Sequence, residues 1–264
     1  MNAPASYRVQ ACNLSHASEN KIHDDEVARR FGFQGGLVPG VEVYAYMTHL
    51  PAARWGVGWL ERGTAECRFF KPVYDGKFVT VSATAEAGAL SITVESEGEP
   101  CASGTVALPD EPGAAPLAPD AAPIPEPDAR PDADDVTLAT GCRLSSHPLH
   151  FTADRLQQYL VGIRETEPLY ARQKLVHPAL LLRLANSALK DNVKLGPWIH
   201  AGSSIRHCGL ARAGDLLAAH AQVAANYERK GHRLVDLDVV IVANGSRAVA
   251  QVRHTAIYRL RQAD

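Results

Sequence analysis

The chain has 264 residues, 27 Lys and Arg against 29 Asp and Glu, a formal net charge of −2 and five cysteines. No Lys/Arg run forms a nucleic-acid or polybasic membrane patch, and no uncharged apolar stretch reaches the length of a membrane span, about 18 residues. These features point to a small-molecule or protein partner. Cys12, Cys67, Cys101, Cys142 and Cys208 are odd in number, scattered and never in a C-x-x-C spacing. They read as reduced thiols of a bacterial-type cytosol, without a metal site. The opening Met1-Asn2-Ala3-Pro4-Ala5-Ser6 lacks the charged-then-apolar pattern of a signal peptide, so a cytoplasmic location is expected.

The first informative stretch is Asn20-Lys21-Ile22-His23-Asp24, followed by Gly32-Phe33-Gln34-Gly35-Gly36-Leu37-Val38-Pro39-Gly40 and an apolar run. An imidazole precedes a glycine-rich turn, and the turn opens into a helix expected from about Val41 to Ala53. Helix starts expose unpaired N–H groups with a favourable dipole, so a backbone donor near Gly40 could polarise a carbonyl while His23 moves a proton. Asp24 and Asp25 suit an N-cap and a first-turn acid, with a catalytic carboxylate as the alternative. Asn20 suits a side chain that fixes the local turn and is also taken as substrate-binding. Tyr44, Tyr46 and Met47 lie on the expected helix as core or acyl-tunnel lining, and the helix start at Gly40, Val41 and Tyr44 is taken as substrate-binding.

Period-two alternation then marks strands at Ala65/Cys67/Phe69, Val79/Val81/Ala83 and from Ser91 to Ser96. Residues 109–135 break this pattern with proline, alanine and acid, and read as a semi-extended linker, mobile in part. Beyond it the first half recurs. Arg68 to Gly76 spans eight positions, as does Arg206 to Gly214. Val38-Pro39-Gly40 matches Val176-His177-Pro178-Ala179, each opening a helix. Strands follow at Ala218 to Tyr227, Arg233 to Asn244 and Ala248 to Arg259, with turns at Gly231 and Asn244-Gly245. The expected organisation is a repeat over 1–108, the linker over 109–135 and a second repeat over 136–264.

In these motifs the chain resembles the MaoC-like acyl dehydratases and (R)-specific enoyl-CoA hydratases in a tandem double hot-dog arrangement. The family pattern reads roughly G-D-x-N-P-[LI]-H-x-D, then a short helix, G-F-x-G and a glycine at the head of the central helix. Asn20, Ile22, His23, Gly32-Phe33, Gly35 and Gly40 match it. The resemblance implies an α+β fold with two repeats, each a long central helix wrapped by an antiparallel sheet. It further implies hydration of an acyl-CoA or acyl carrier protein thioester without a cofactor, and a homodimer. The first half is the expected catalytic half and the second shapes the acyl site.

The departures from the family pattern fall on the chemistry. Ser18 stands where the family carries its aspartate, with Glu19 beside it, and Lys21 replaces the motif proline. A serine orients water but cannot act as the general base. Either Glu19 or Asp25 has taken that role, or the hydratase chemistry is weakened or gone. In the second half Glu165 keeps a carboxylate and Tyr170 occupies the histidine position. A non-catalytic acyl-CoA binder or partner subunit and a hot-dog thioesterase are the alternative readings.

Overall fold

The computed structural model describes residues 6–261; the stretch Met1–Ala5 used in the leader expectation lies outside them. The first half opens with β1 (Tyr7–Gln10), a 3₁₀ turn at Lys21–His23 and the short helix α1 (Asp25–Arg30). Next come α2 (Gly40–Trp55), α3 (Val57–Arg62), β2 (Thr64–Phe69), β3 (Phe78–Glu86), β4 (Ala89–Ser96) and β5 (Glu99–Ala107). The second half contains β6 (Arg143–Ser145), β7 (Leu149–His150), α4 (Ala153–Gly162), α5 (Leu169–Gln173) and α6 (Pro178–Lys190). It ends with β8 (Ile199–His207), β9 (Leu216–Arg229), β10 (His232–Ala243) and β11 (Arg247–Arg259).

The strands form one sheet in the order β1-β3-β4-β5-β2-β8-β11-β10-β9-β6, with β7 on β9. The order is a palindrome about the β2/β8 junction. There Thr64 lies opposite Arg206 and Arg68 opposite Gly202. The offset of 138 positions that aligns Arg68 with Arg206 carries one of these pairs onto the other, as a twofold relation between repeats requires.

Alternation decides which side of each strand is covered. Val79 and Val81 on β3 and Leu90, Ile92 and Val94 on β4 are buried, as are Leu217, Ala219, Ala221 and Val223 on β9. Helix α2 is apolar nearly all round and correspondingly buried from Val41 to Met47. It packs against α6, and one apolar core runs through both halves. The hairpin turns sit where expected, with Lys230 and Gly231 at φ 54 and 77 and Asn244 and Gly245 at φ 53 and 86.

Strand β5 has no clear alternation in Glu-Pro-Cys-Ala-Ser-Gly-Thr-Val-Ala. Its Gly104 answers to packing, since a Cβ there would stand 2.0 Å from the Glu66 carbonyl oxygen and 2.8 Å from Met47 Cε. Within the 109–135 segment, the part from Pro119 onward is held to the second half by hydrogen bonds. Ala122 N donates to Ser145 Oγ at 2.8 Å and Lys194 N to the Pro131 carbonyl at 2.7 Å. The imidazole of His220 lies 3.0 Å from the Pro119 carbonyl. Among the described residues no helix is long and apolar enough to cross a membrane.

Candidate functional site

Asn20 caps the 3₁₀ turn, its Oδ1 accepting from Ile22 N at 3.3 Å and from Trp198 N at 3.2 Å. Its Nδ2 donates to the Trp198 carbonyl at 2.9 Å. One side chain therefore clamps the first-half loop onto the second half. Ile22 anchors the turn in a small cluster with Ala28 and Leu37. The glycine-rich turn then crosses the backbone just after it, since a Cβ on Gly36 would stand 2.3 Å from the His23 carbonyl oxygen. Gly36 permits that approach, and the turn brings the Leu37 carbonyl to the His23 ring.

His23 Nδ1 lies 2.7 Å from the Leu37 carbonyl oxygen. A carbonyl only accepts, so Nδ1 carries the proton and Nε2 keeps a lone pair. Asn20 Nδ2 is 3.4 Å from that Nε2. Burial pushes the imidazole down to about 4, so it is neutral at physiological pH. Nearby, Pro39 precedes α2 and no side chain caps it, which leaves the first N–H groups of the helix, at Gly40 and Val41, without intrahelical acceptors.

His23 and Gly40 line one cavity of about 630 Å³. Val43, Phe69, Val193, Leu195, Trp198 and Ile199 give it apolar walls. Its lining also carries the exposed Lys71, Lys190 and Lys194 and the half-buried Arg130, with Lys71 paired to Glu99 and Lys190 to Asp191. Arg183 enters it from α6, paired with the fully buried Glu42 of α2.

Ser18, Glu19, Asn20, His23 and Gly40 all line this cavity. Ser18 Oγ donates to the Asn20 carbonyl at 3.2 Å, leaving its lone pairs able to accept. Glu19 is exposed and its Oε2 is 3.1 Å from Arg130 Nη1, which also donates to the Lys190 carbonyl at 2.7 Å. Hydrogen bonding to Arg130 holds the Glu19 carboxyl below its ordinary range, the opposite of what a strong base near neutral pH needs. Glu19→Gln is accordingly expected to leave turnover within about threefold of the parent in a steady-state assay; a loss of about 100-fold, the start of the range for a positioned base, would return Glu19 to the chemistry.

Four residues offered for the site lie elsewhere. Asp25 accepts from Gly36 N at 2.8 Å and faces Arg29 at 3.4 Å, so it braces the glycine turn. Val41 and Tyr44 project into the core and are absent from the cavity lining, because the helix start meets the cavity through Gly40 and Val43. Asp24 caps α1, accepting from Val27 N at 3.0 Å.

The second half treats the equivalent place differently. His177 caps α6 through Nδ1, which accepts from Ala179 N at 3.3 Å, and Tyr170 is buried beside it at a ring separation of 4.5 Å. Glu165 is buried next to them. Burial opposes its charge, but His177 and His49 hold its carboxyl well below the usual range. The helix head open in the first half is closed in the second.

His200 and Arg183 are cavity residues that sequence reasoning did not place there. They come from the second half, and their approach to Gly40 depends on strand register and helix pairing, which leave no local periodicity.

No protein-family model matches the sequence, and no curated protein matches it. Solved structures do. A MaoC domain dehydratase from Chloroflexus aurantiacus superposes at a TM-score of 0.62 with 12% identity, covering 93% of this chain and 89% of that one. A Mycobacterium tuberculosis protein described as having a double hotdog fold gives a TM-score of 0.63, 16% identity and 96% coverage of both chains. The chain has the double hot-dog fold. A Thermobifida fusca protein described as a thioesterase II superposes at a TM-score of 0.51 with 15% identity, covering 96% of this chain and 92% of that one. Within the double hot dog, the cavity sits where the first repeat's helix head meets α6 and β8 of the second.

Proposed function

We propose that the protein is an acyl-thioester hydratase or dehydratase interconverting 2-enoyl-CoA and 3-hydroxyacyl-CoA. The observation that carries this reading is a neutral imidazole, its Nδ1–H held by the Leu37 carbonyl, in the same cavity as the uncapped start of α2. The apolar walls suit an acyl chain, and the lysines and Arg130 suit the phosphates of CoA.

In hydration, water held by Ser18 Oγ and His23 Nε2 adds its oxygen to C3 while Nε2 takes one of its protons. The electron pair of the double bond moves through C2 onto the thioester oxygen, where the Gly40 N–H opposes the developing charge. C2 then takes the proton back from the His23 imidazolium, and dehydration runs the same steps in reverse. This cycle needs one proton carrier and no carboxylate, consistent with Glu19 being engaged by Arg130.

The test is the loss of enoyl-thioester absorbance with short and medium 2-enoyl-CoAs, for the parent and His23→Ala together. Parent turnover falling at least about 100-fold in the variant is expected. Ser18 in place of a carboxylate favours one rival, an acyl-thioester binder without turnover, which calorimetric binding of acyl-CoA by an inactive parent would establish. Release of free CoA thiol in place of absorbance loss would assign thioester hydrolysis instead.

A further inference from the structure

Three polar side chains cluster behind Gly40, in the interior of the sheet, with the His200 and His254 rings 4.4 Å apart. His200 Nε2 is 2.9 Å from Ser203 Oγ, and Ser203 Oγ is 3.0 Å from His254 Nδ1. All three residues are buried, with His200 only 5% exposed. His200 Nδ1 has no partner, and it stands 3.0 Å from where a Gly40 Cβ would be. His200 also lines the cavity, with Phe69 edge-on at 4.8 Å.

The backbone is bent to achieve this. Period two would send positions 200 and 203 to opposite faces of β8. The register with β11 shifts between Thr255↔Gly202 and Ala256↔His200, which places one extra residue, Ala201, in β8. That bulge returns His200 to the face of Ser203 and turns its ring toward the head of α2. Burying two imidazoles and a hydroxyl in an apolar sheet is unfavourable, and a leucine or valine at each position would pack there without that cost.

We propose that His200 is a second hydrogen-bond donor to the acyl thioester oxygen, acting beside the Gly40 N–H, with Ser203 and His254 as positioning residues that set its tautomer. The inference rests on the reading of this cavity as an acyl-thioester site. For Nδ1 to carry the proton, His200 Nε2 accepts from the Ser203 hydroxyl, and Ser203 Oγ accepts from His254 Nδ1–H. His254 Nε2, which has no partner, is then an unprotonated lone pair and not an orphaned N–H donor in the core. Burial holds both imidazoles in their neutral forms, so the run transmits orientation without charge.

The test uses the full chain with two readouts. In hydration of 2-octenoyl-CoA, His200→Leu is expected to lower kcat roughly 100- to 1,000-fold while KM rises no more than about fivefold, the signature of a lost oxyanion donor. Ser203→Ala is expected to lower kcat while Ser203→Thr, which keeps the hydroxyl, restores it; this pair also serves if His200→Leu fails to fold. In calorimetry, octanoyl-CoA is compared with S-octyl-CoA, a thioether lacking the carbonyl. The preference of the parent for the thioester should shrink by about fivefold in His200→Leu, the worth of one hydrogen bond. A parent that binds and turns over thioesters, with both readouts unmoved in His200→Leu and Ser203→Ala, overturns the role of His200 and leaves the site reading intact. A parent that binds neither octanoyl-CoA nor 2-octenoyl-CoA overturns both.

Discussion

Heat stability is expected to fall steeply as pH drops from about 6.5 to about 4, because the folded chain keeps several imidazoles from charging. Burial pushes His23 and His207 down to about 4 and His254 to about 3, and His200 lies well below its ordinary value. In the unfolded chain each titrates near 6.5, so below that pH the unfolded state binds more protons and stability decreases as pH falls. The loss is complete once the folded values are passed. For His207 alone the shift corresponds to about 3 kcal/mol near pH 4. Several such groups together approach the whole stability of a typical domain, about 5–15 kcal/mol. Neither ring nitrogen of His207 has a partner, and its ring lies edge-on to Trp59 at 5.1 Å. His207→Phe should therefore keep the aromatic contact and remove one share of the acid sensitivity. The check is the thermal midpoint at pH 7 and pH 4.5 for both proteins. Parallel falls in parent and variant would refute the assignment.

The second large effect is expected at the pair joining the two helices. Glu42 of α2 is fully buried and its carboxylate meets the Arg183 guanidinium of α6, which is 33% exposed through the cavity. Tyr159 Oη stands 3.5 Å from the same carboxylate. Replacing the pair by apolar groups of similar size is often close to neutral, whereas removing one partner of a buried pair costs about 3–5 kcal/mol. Arg183→Met should destabilise by an amount in that range at pH 8, and Glu42→Leu combined with Arg183→Met should recover most of it. Burial raises the Glu42 carboxyl above its ordinary value even beside Arg183. Without Arg183, the uncompensated carboxylate can escape its cost only by taking a proton. The penalty of the single variant should therefore grow as pH rises above the unfolded Glu value near 4.3 and shrink toward acid. Denaturant melts at pH 5 and pH 8 read this directly, and an equal loss in single and double variants would refute the pairing argument.

Much of the fold is legible in local patterns. In the second repeat β9 and β11 are marked by stretches of alternation and the hairpins by Gly231 and Asn244-Gly245, and the β2/β8 register repeats with the spacing that aligns Arg68 with Arg206. Strand β5 is obscure because Pro100, Ser103 and Gly104 interrupt alternation, and the reason for Gly104, the close approach of Glu66 on β2 and Met47 on α2, lies outside its own stretch of sequence. The site is legible where its geometry is local. Asn20, His23 and Gly40 sit on one loop and one helix start, and the motif holds them together. It is misread where proximity in sequence stands in for direction. Val41 and Tyr44 belong to the same helix start but face inward, and Asp25 is two residues from His23 yet binds the Gly36 N–H. His200, Ser203 and His254 are hidden for the opposite reason, since their alignment depends on a bulge and a cross-strand pairing 51 residues apart.

The closure of the α6 head by His177 and Tyr170 has a consequence for stoichiometry. A ring of identical single repeats must build every cavity from the same residues twice, so a wall residue that helps one cavity is imposed on its copy. In this chain the two helix heads have parted ways. The second repeat can place His200, Arg183 and Trp198 around the first repeat's helix without any obligation to keep a working helix head of its own. Each polypeptide should accordingly saturate with a single ligand, and substitutions at the α6 head should change stability without changing the number of ligands bound.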